Sequence, residues 1–250
     1  MVWGFMRKNT LAGYMAGVLL CILMLALIPA ETLAKDGSSG ISYEAAGATI
    51  IKLMENENCR PGYIKTEIVF LSQEEVEDFA RYFYNQYYYG SVSVKVCYTI
   101  YTDKPGKYYL SVYTDKPQEA AREQRAAEKM LEDVAAGMNA QGDYDKAMEV
   151  YQWTYDHFEY DYSLRNINVY SALKTGETVC NGYTRIFQAL CTKRGLDCEI
   201  VYGEGHAWNK VWLEGQWRYV DITWNKNLSE NRWLFLLEDE MSSRHRPLEE

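Results

Sequence analysis

The stretch TVCNGYTRIFQALCTKRGLDCEIVYGEGHAWNKVWLEGQWRYVDITW, residues 178–224, changes its hydrophobic period partway along, and that change decides the fold. In its first third, Val179, Tyr183, Ile186, Phe187, Leu190 and Cys191 recur at helical spacing. Thr178 is placed to cap that helix, while Lys193, Arg194 and Gly195 close it with cations and a residue free to take positive φ. Beyond Gly195 the period becomes two. Cys198, Ile200 and Tyr202 alternate with Glu199 and Val201, and runs at 206–213 and 217–223 follow, so the pattern predicts three strands. A two-residue turn at Glu214-Gly215 pairs Leu213 with Gln216 and Trp208 with Asp221, which makes His206 and Asp221 diagonal neighbours on one sheet face. A turn shifted so that Trp212 meets Gly215 sets them directly opposite; a slip of one residue separates them.

This arrangement suits nucleophilic chemistry. Cys180 falls at a helix N-terminus, where unpaired N–H groups and the helix dipole favour the thiolate of a group whose ordinary pKa is about 8.5. A cysteine nucleophile needs a base to take its proton and return it to a leaving group, and the base needs an acceptor to fix its tautomer. Cys180, His206 and Asp221 fill those roles in that order. Singly, each reads more simply as a buried thiol, a core histidine and a strand-end cap; their convergence is what points to a catalytic site.

The motifs TVCNGYTRIFQAL, GHAWNKVWL and WRYVDITW resemble the three core motifs of the transglutaminase-like superfamily, which holds transglutaminases, peptide N-glycanases and related cysteine proteases. The likeness is greatest to secreted bacterial members and to the transglutaminase/protease-like domain of cytokinesis proteins, and covers about residues 143–237. It implies an α+β fold with a papain-like/transglutaminase-like core: an N-terminal helix carrying the cysteine, packed on an antiparallel sheet carrying the histidine and the aspartate. It also implies that Cys180, His206 and Asp221 are nucleophile, base and orienting acid, with no cofactor required. The superfamily includes cross-linkers, hydrolases and inactive scaffolds, so the resemblance leaves the reaction open.

A tetrahedral intermediate needs donors aimed at its oxyanion; the Cys180 backbone N–H is the first candidate. Members of the superfamily use an upstream tryptophan as the second. Here Tyr170 and Trp153 are the candidates for that role, while Trp208 is placed to cover the imidazole and Trp224 to pack beyond Asp221. The turn-rich segment 160–179 reads as a cleft wall.

At the start of the chain, Arg7 and Lys8 precede an apolar segment at 11–30, and Thr32-Leu33-Ala34 is similar to a small-residue cleavage site. Residues 1–34 therefore read as a secretory signal, with an uncleaved membrane anchor as the alternative; both place the remainder outside the cytoplasmic membrane. Without that segment the chain has 216 residues and, of its 26 basic and 35 acidic residues, loses Arg7, Lys8 and Glu31, for a formal charge of −10. Such a surface excludes nucleic acid as a natural partner. The partner class that remains is a protein or peptide substrate, cell-wall peptide included, with membrane contact only through an uncleaved leader. Five cysteines remain beyond residue 34, an odd number that leaves a thiol free. Pairing Cys59 with Cys97 and Cys191 with Cys198 spares Cys180. No spacing matches a zinc or calcium site, so no metal is expected.

Residues 35–42 read as a linker and 43–140 as a small α/β region. Its pattern gives a helix at 43–56, a strand at 63–70, a helix from the capping box at Ser72 and Glu75 with Val76, Phe79, Phe83 and Tyr87 on one face, and a hairpin at 92–101 and 107–113. Tyr82, Tyr84, Tyr87, Tyr88 and Tyr89 read as packing tyrosines with wet hydroxyls. Pro117 opens a helix to Gly137 whose charges read as a solvated face, and Ala147, Val150, Tyr151, Thr154 and Phe158 mark the inner stripe of the next, with His157 structural. The catalytic domain spans 141–238, including a closing strand at 233–237, and 239–250 is a charged tail in which His245 receives no role. Three functions follow as expectations: an extracellular transamidase or deamidase working through a thioester; a cysteine peptidase or amidase using the same triad; and a catalytically silent surface binding module.

Overall fold

The computed structural model describes residues 18–21, 40–229, 231–241 and 245 of the 250. In chain order the elements are β1 (Val18–Cys21), α1 (Tyr43–Glu55), β2 (Gly62–Phe70), α2 (Gln73–Tyr82) running into a π turn (Phe83–Tyr87), β3 (Lys95–Ile100), β4 (Tyr108–Thr114), α3 (Pro117–Gly137), α4 (Asp143–His157), β5 (Glu159–Tyr160), α5 (Val169–Thr175), β6 (Glu177–Thr178), α6 (Cys180–Lys193), β7 (Cys198–Gly203), β8 (His206–Leu213), β9 (Gln216–Val220) and α7 (Ile222–Leu228). The fold is α+β. Of the leader, only the short strand β1 falls among the described residues, antiparallel to β3; the remaining residues of 1–34 lie outside them.

The N-terminal sheet has strand order β1-β3-β4-β2. One face is covered by α1 and α2, whose Ile50, Met54, Val76 and Phe79 are fully buried with Phe70 and Phe83. Each such side chain contributes about 1.5–3 kcal/mol of burial. Ser72 caps α2 by accepting from Glu75 N–H at 3.1 Å, and the Glu75 carboxylate reaches back to Leu71 N–H at 2.7 Å. The tyrosine run packs as expected, but the Tyr88 and Tyr84 hydroxyls are bonded to backbone rather than left to water: Tyr88 stacks on Phe83 with ring centroids 5.4 Å apart. Its hydroxyl donates to Val92 O at 2.8 Å, and the Tyr84 hydroxyl accepts from Val96 N–H at 2.6 Å.

Helix α3 does not present a wholly solvated polar face. Glu123 and Gln124 are buried, because the loop after the π turn brings backbone groups that need partners. Gln124 accepts from Tyr89 N–H at 2.6 Å and donates to Tyr87 O at 2.8 Å, and Glu123 accepts from Ser91 N–H at 2.6 Å. From the other side Arg185 of α6, itself buried, donates to Asn85 O at 3.1 Å and to Tyr88 O. The same polar loop thus joins the N-terminal layer to the helix that begins at Cys180.

The C-terminal sheet, β7-β8-β9, is antiparallel, and α6 packs on it. Its register is Leu213 with Gln216 and Asn209 with Val220, as a two-residue turn requires. Glu214 and Gly215 both have positive φ, 54° and 83°, the primed geometry that suits the twist of a hairpin. The segment 233–237 is not a strand. Phe235 takes a φ of 52°, which breaks extended pairing, and a single bridge from Tyr219 to Leu236 remains. Neither proposed disulfide forms: the Cys59, Cys180, Cys191 and Cys198 thiols are free, with Cys191 and Cys198 in hydrogen-bond contact, and Cys97 is buried in β3.

Candidate active site

Helix α6 starts one residue later than a Thr178 cap would place it. Val179 is the N-cap and, being apolar, offers no side-chain bond, while the Thr178 hydroxyl that could have capped the helix is committed to Asn166 O at 2.8 Å. Thr178 is buried in β6, which runs parallel to β5. A Cβ on Gly182 would lie 1.8 Å from that hydroxyl, so only glycine lets the first turn of α6 lie this close to β6. Cys180 is therefore the first helical residue, half-buried, with the helix N–H groups around it uncapped by any side chain of Val179. Asn181 donates to Ile167 O at 2.7 Å and ties the helix start to the preceding loop.

His206 opens β8 opposite Gly203, which has no side chain to crowd it. Asp221 follows β9 directly and is the N-cap of α7, with its two carboxylate oxygens divided between duties. Oδ1 accepts from Trp224 N–H at 2.9 Å, while Oδ2 accepts from His206 Nε2 at 2.6 Å. Asp221 therefore both caps α7 and hydrogen-bonds the His206 imidazole.

The side chain of Asp221 is fully buried. Burial opposes its charge, but the bonds from the two flanking imidazoles win, and its carboxyl is held below the ordinary value. Burial likewise works against the His206 cation. The bond to Asp221 and the hydrogen bond to the Cys180 sulfur outweigh it and lift the imidazole to about 9. With Nε2 on Asp221, Nδ1 is the nitrogen left for the sulfur. The three residues thus form one line, Cys180 to His206 to Asp221, with Trp208 and Trp224 beside the imidazole at centroid distances of 5.9 and 5.5 Å.

Of the oxyanion candidates, Trp153 stacks on His157 at 4.2 Å and meets Phe158 edge to face, while His157 Nδ1 bonds Trp153 O at 2.7 Å. Tyr170 packs against the C-terminal core, with its N–H on Tyr89 O at 2.9 Å. Two tyrosines that the sequence reading gave no part in the chemistry, Tyr160 and Tyr202, stand close enough to Cys180 to feel its charge. Burial, and after it the sulfur, pushes the Tyr160 hydroxyl up; burial carries Tyr202 to about 12 against the lowering effect of Arg185. The Tyr202 hydroxyl is buried and has no hydrogen-bond partner among the described residues.

His245 is the residue that sequence reasoning missed altogether. It is buried, with Nε2 2.8 Å from Oδ2 of Asp221, the oxygen that His206 also uses. The rings of Trp224, Trp233 and Trp208 lie 4.2, 4.8 and 5.1 Å from its own. Nothing in local spacing announces it, since 24 residues separate it from Asp221. One weak signal was present: Trp208, Trp224 and Trp233 form a tryptophan-rich wall that a small polar ring can close. His206, Asp221 and His245 also bring three ligand atoms within 4.8 Å, a metal-capable donor set that no spacing rule predicts, and two hydrogen bonds already join those atoms.

Residues 132–222 match the family model described as the transglutaminase-like superfamily. The chain is 32% identical over 111 residues to the kyphoscoliosis peptidases of Mus musculus and Homo sapiens, an alignment covering 36% of this chain and 17% of each relative. It is 26% identical over 106 residues to the LIM and transglutaminase domain protein ltd-1 of Caenorhabditis elegans, covering 34% of this chain and 15% of that one. The chain thus spans about a sixth of the length of these curated relatives. Among solved structures it aligns with a TGase at a TM-score of 0.36 and 15% identity, over 73% of this chain and 56% of that one. With the periplasmic domain of TgpA from Pseudomonas aeruginosa the TM-score is 0.32 and the identity 12%, over 73% and 96% of the two chains. The segment that matches the transglutaminase-like superfamily, residues 132–222, includes Cys180, His206 and Asp221.

Proposed function

We propose that this chain is a cysteine acyltransferase that acts on a carboxamide or peptide carbonyl of a protein or peptide substrate through a thioester on Cys180. The observation that carries the reading is the hydrogen-bonded line from the Cys180 sulfur through His206 to the buried carboxylate of Asp221. In the first step the Cys180 thiolate bonds to the carbonyl carbon, the carbon–nitrogen bond breaks, and the leaving nitrogen takes the proton of His206. In the second, an amine or a water attacks the thioester, gives its proton back to His206 and regenerates the thiolate. Asp221 keeps the imidazole oriented and supports its cation in both steps.

The Cys180 N–H and the Tyr202 hydroxyl are the donors proposed for the oxyanion, the latter because it is buried, has no hydrogen-bond partner among the described residues and lies within electrostatic reach of the sulfur. A polypeptide substrate fits the wall of the site. Tyr162, Leu164 and Ile167 are 81%, 62% and 53% exposed on the loop just before the nucleophile. That loop is held by Asp161, which accepts from Ser163, Arg165 and Asn166 N–H groups at 2.8–2.9 Å. The bonds from Ser163 and from the backbone of Asn166 also keep the Asp161 carboxyl well below its usual range. Such an apolar, pre-ordered rim suits the side chains that flank an acyl donor. The apolar segment at 11–30 supports action outside the cytoplasmic membrane.

Hydrolysis by the same three residues is the second reading, and similarity to proteins named peptidases favours it. Mass spectrometry of a peptide library treated with the active chain or with Cys180→Ala separates the outcomes. Ammonia release with amine incorporation supports transamidation, and new peptide termini support proteolysis. If neither depends on Cys180, both enzymatic readings fall and a binding role takes their place.

A further inference from the structure

Asp221 is shared by two histidines, and the proposed chemistry uses only one of them. His245 points Nε2 at Oδ2 from 2.8 Å, while His206 holds the same oxygen from 2.6 Å. Its ring is fixed against Trp224, Trp233 and Trp208, and its side chain is fully buried. This is not the placement of an incidental tail residue, since a buried imidazole is retained only where its polar atoms are matched.

Resting on the acyl-transfer reading above, we propose that His245 is a positioning residue of the site: its Nε2–H holds Asp221 Oδ2 in place and divides that oxygen's accepting capacity between two imidazoles. An aspartate serving His206 alone would grip the His206 proton more tightly. His206 must release that proton to the leaving nitrogen, so a tighter grip makes it a poorer acid. With His245 as the second donor, Asp221 stays oriented while the proton remains transferable. Among the described residues, the charged or titratable groups facing this pair are Asp221 and His206 themselves, with Cys180 beyond His206; Arg232 stacks on the Trp233 ring, 4.9 Å from its centroid.

The test compares the full chain with His245→Phe, which fills the tryptophan cage without a donor, and His245→Gln, whose amide N–H can replace Nε2–H. The readouts are the pH midpoint of the His206 imidazole by nuclear magnetic resonance and the kcat and KM of amine incorporation into a glutamine peptide. Expected for His245→Phe is a midpoint raised by about half a unit to one unit, with kcat about tenfold lower and KM unchanged. His245→Gln should restore both to within about twofold. An unmoved His206 midpoint in His245→Phe, or equal losses in the Phe and Gln variants, would reduce His245 to a packing residue and overturn the proposal. The titration is read without turnover, so a chain that proves inactive toward amides still tests His245. Conversely, activity that survives Cys180→Ala defeats the acyl-transfer reading whatever the titration shows.

Discussion

The two sheet-and-helix halves bury polar groups to different ends. In the N-terminal half, Thr66, Glu123 and Gln124 sit in the core and each bonds backbone groups, so their burial joins segments together. In the C-terminal half, Asp221 and His245 are buried in a side-chain network that includes His206. Buried side-chain atoms with no hydrogen-bond partner among the described residues occur in both halves, at Ser111 Oγ in the first and at Tyr202 Oη, Trp208 Nε1, Thr223 Oγ1, Trp233 Nε1 and Arg194 Nε in the second. A fold normally satisfies every such group, since an orphaned donor costs about 1–3 kcal/mol. Of these atoms, Trp208 Nε1 belongs to a ring that packs beside the His206 imidazole, and Trp233 Nε1 to one that packs on His245.

The largest test of that contrast is Cys180→Ala. Acyl transfer and single-site alkylation should fall by at least about 10³-fold, while thermal stability changes little, because the sulfur is half-buried and carries no cap. Retained turnover would take Cys180 out of the chemistry. Asp221→Asn comes next, with a kcat loss on the order of 10³-fold. The variant should also move a titration. His206 is lifted to about 9 against burial, which by itself lowers it, so removing the carboxylate should drop its midpoint below the ordinary 6.5. The sign for stability follows. His206 is more easily protonated in the folded chain than in the unfolded one, so the stability it confers is complete below about pH 6.5 and disappears as pH rises through about 9. Asp221→Asn should flatten that limb, and denaturant melts at pH 6 and pH 9.5 on both proteins measure it.

Much of this site is legible in the sequence because its parts are local. Hydrophobic periods place Cys180 at a helix start, and a two-residue turn fixes the register that puts His206 and Asp221 on one face. What escaped the sequence reading depends on contacts with no periodic signature. The Thr178 hydroxyl turned to Asn166 O, Phe235 took a positive φ, Glu123 and Gln124 turned inward to serve a loop about 35 residues away, and His245 reached Asp221 from the tail. In each case a backbone carbonyl, N–H group or carboxylate created a demand elsewhere in the chain, and local pattern cannot show which side chain answers it. The disulfide pairing failed for a related reason: an odd count says one thiol is free, but gives no Cα separations.

Tyr202→Phe sharpens the contrast at intermediate size. Removing a buried hydroxyl with no hydrogen-bond partner among the described residues should leave stability unchanged or slightly higher, whereas removing an oxyanion donor should lower kcat about 10–10²-fold with KM preserved. Lost stability with unchanged kcat would show that the hydroxyl belongs to the packing and that the second donor lies elsewhere.

Gln124→Ala should have the smallest effect on catalysis, and it probes the other half. The side chain is fully buried, and its amide accepts from Tyr89 N–H and donates to Tyr87 O, so its loss strands two backbone groups where the π turn meets α3. Each stranded group costs about 1–3 kcal/mol, and for a chain of this size each kcal/mol lowers Tm by about 2–4 °C. A fall in Tm of roughly 4–24 °C is therefore expected, read by calorimetry, with kcat per folded molecule unchanged. The same loop receives the Arg185 guanidinium from α6, so a mechanical route from Gln124 to the helix of Cys180 exists. If Gln124→Ala slowed the acylation of Cys180 at temperatures where the variant is fully folded, that route would be active, and the division of the molecule into a supporting half and a reacting half would have to be replaced by a single coupled unit.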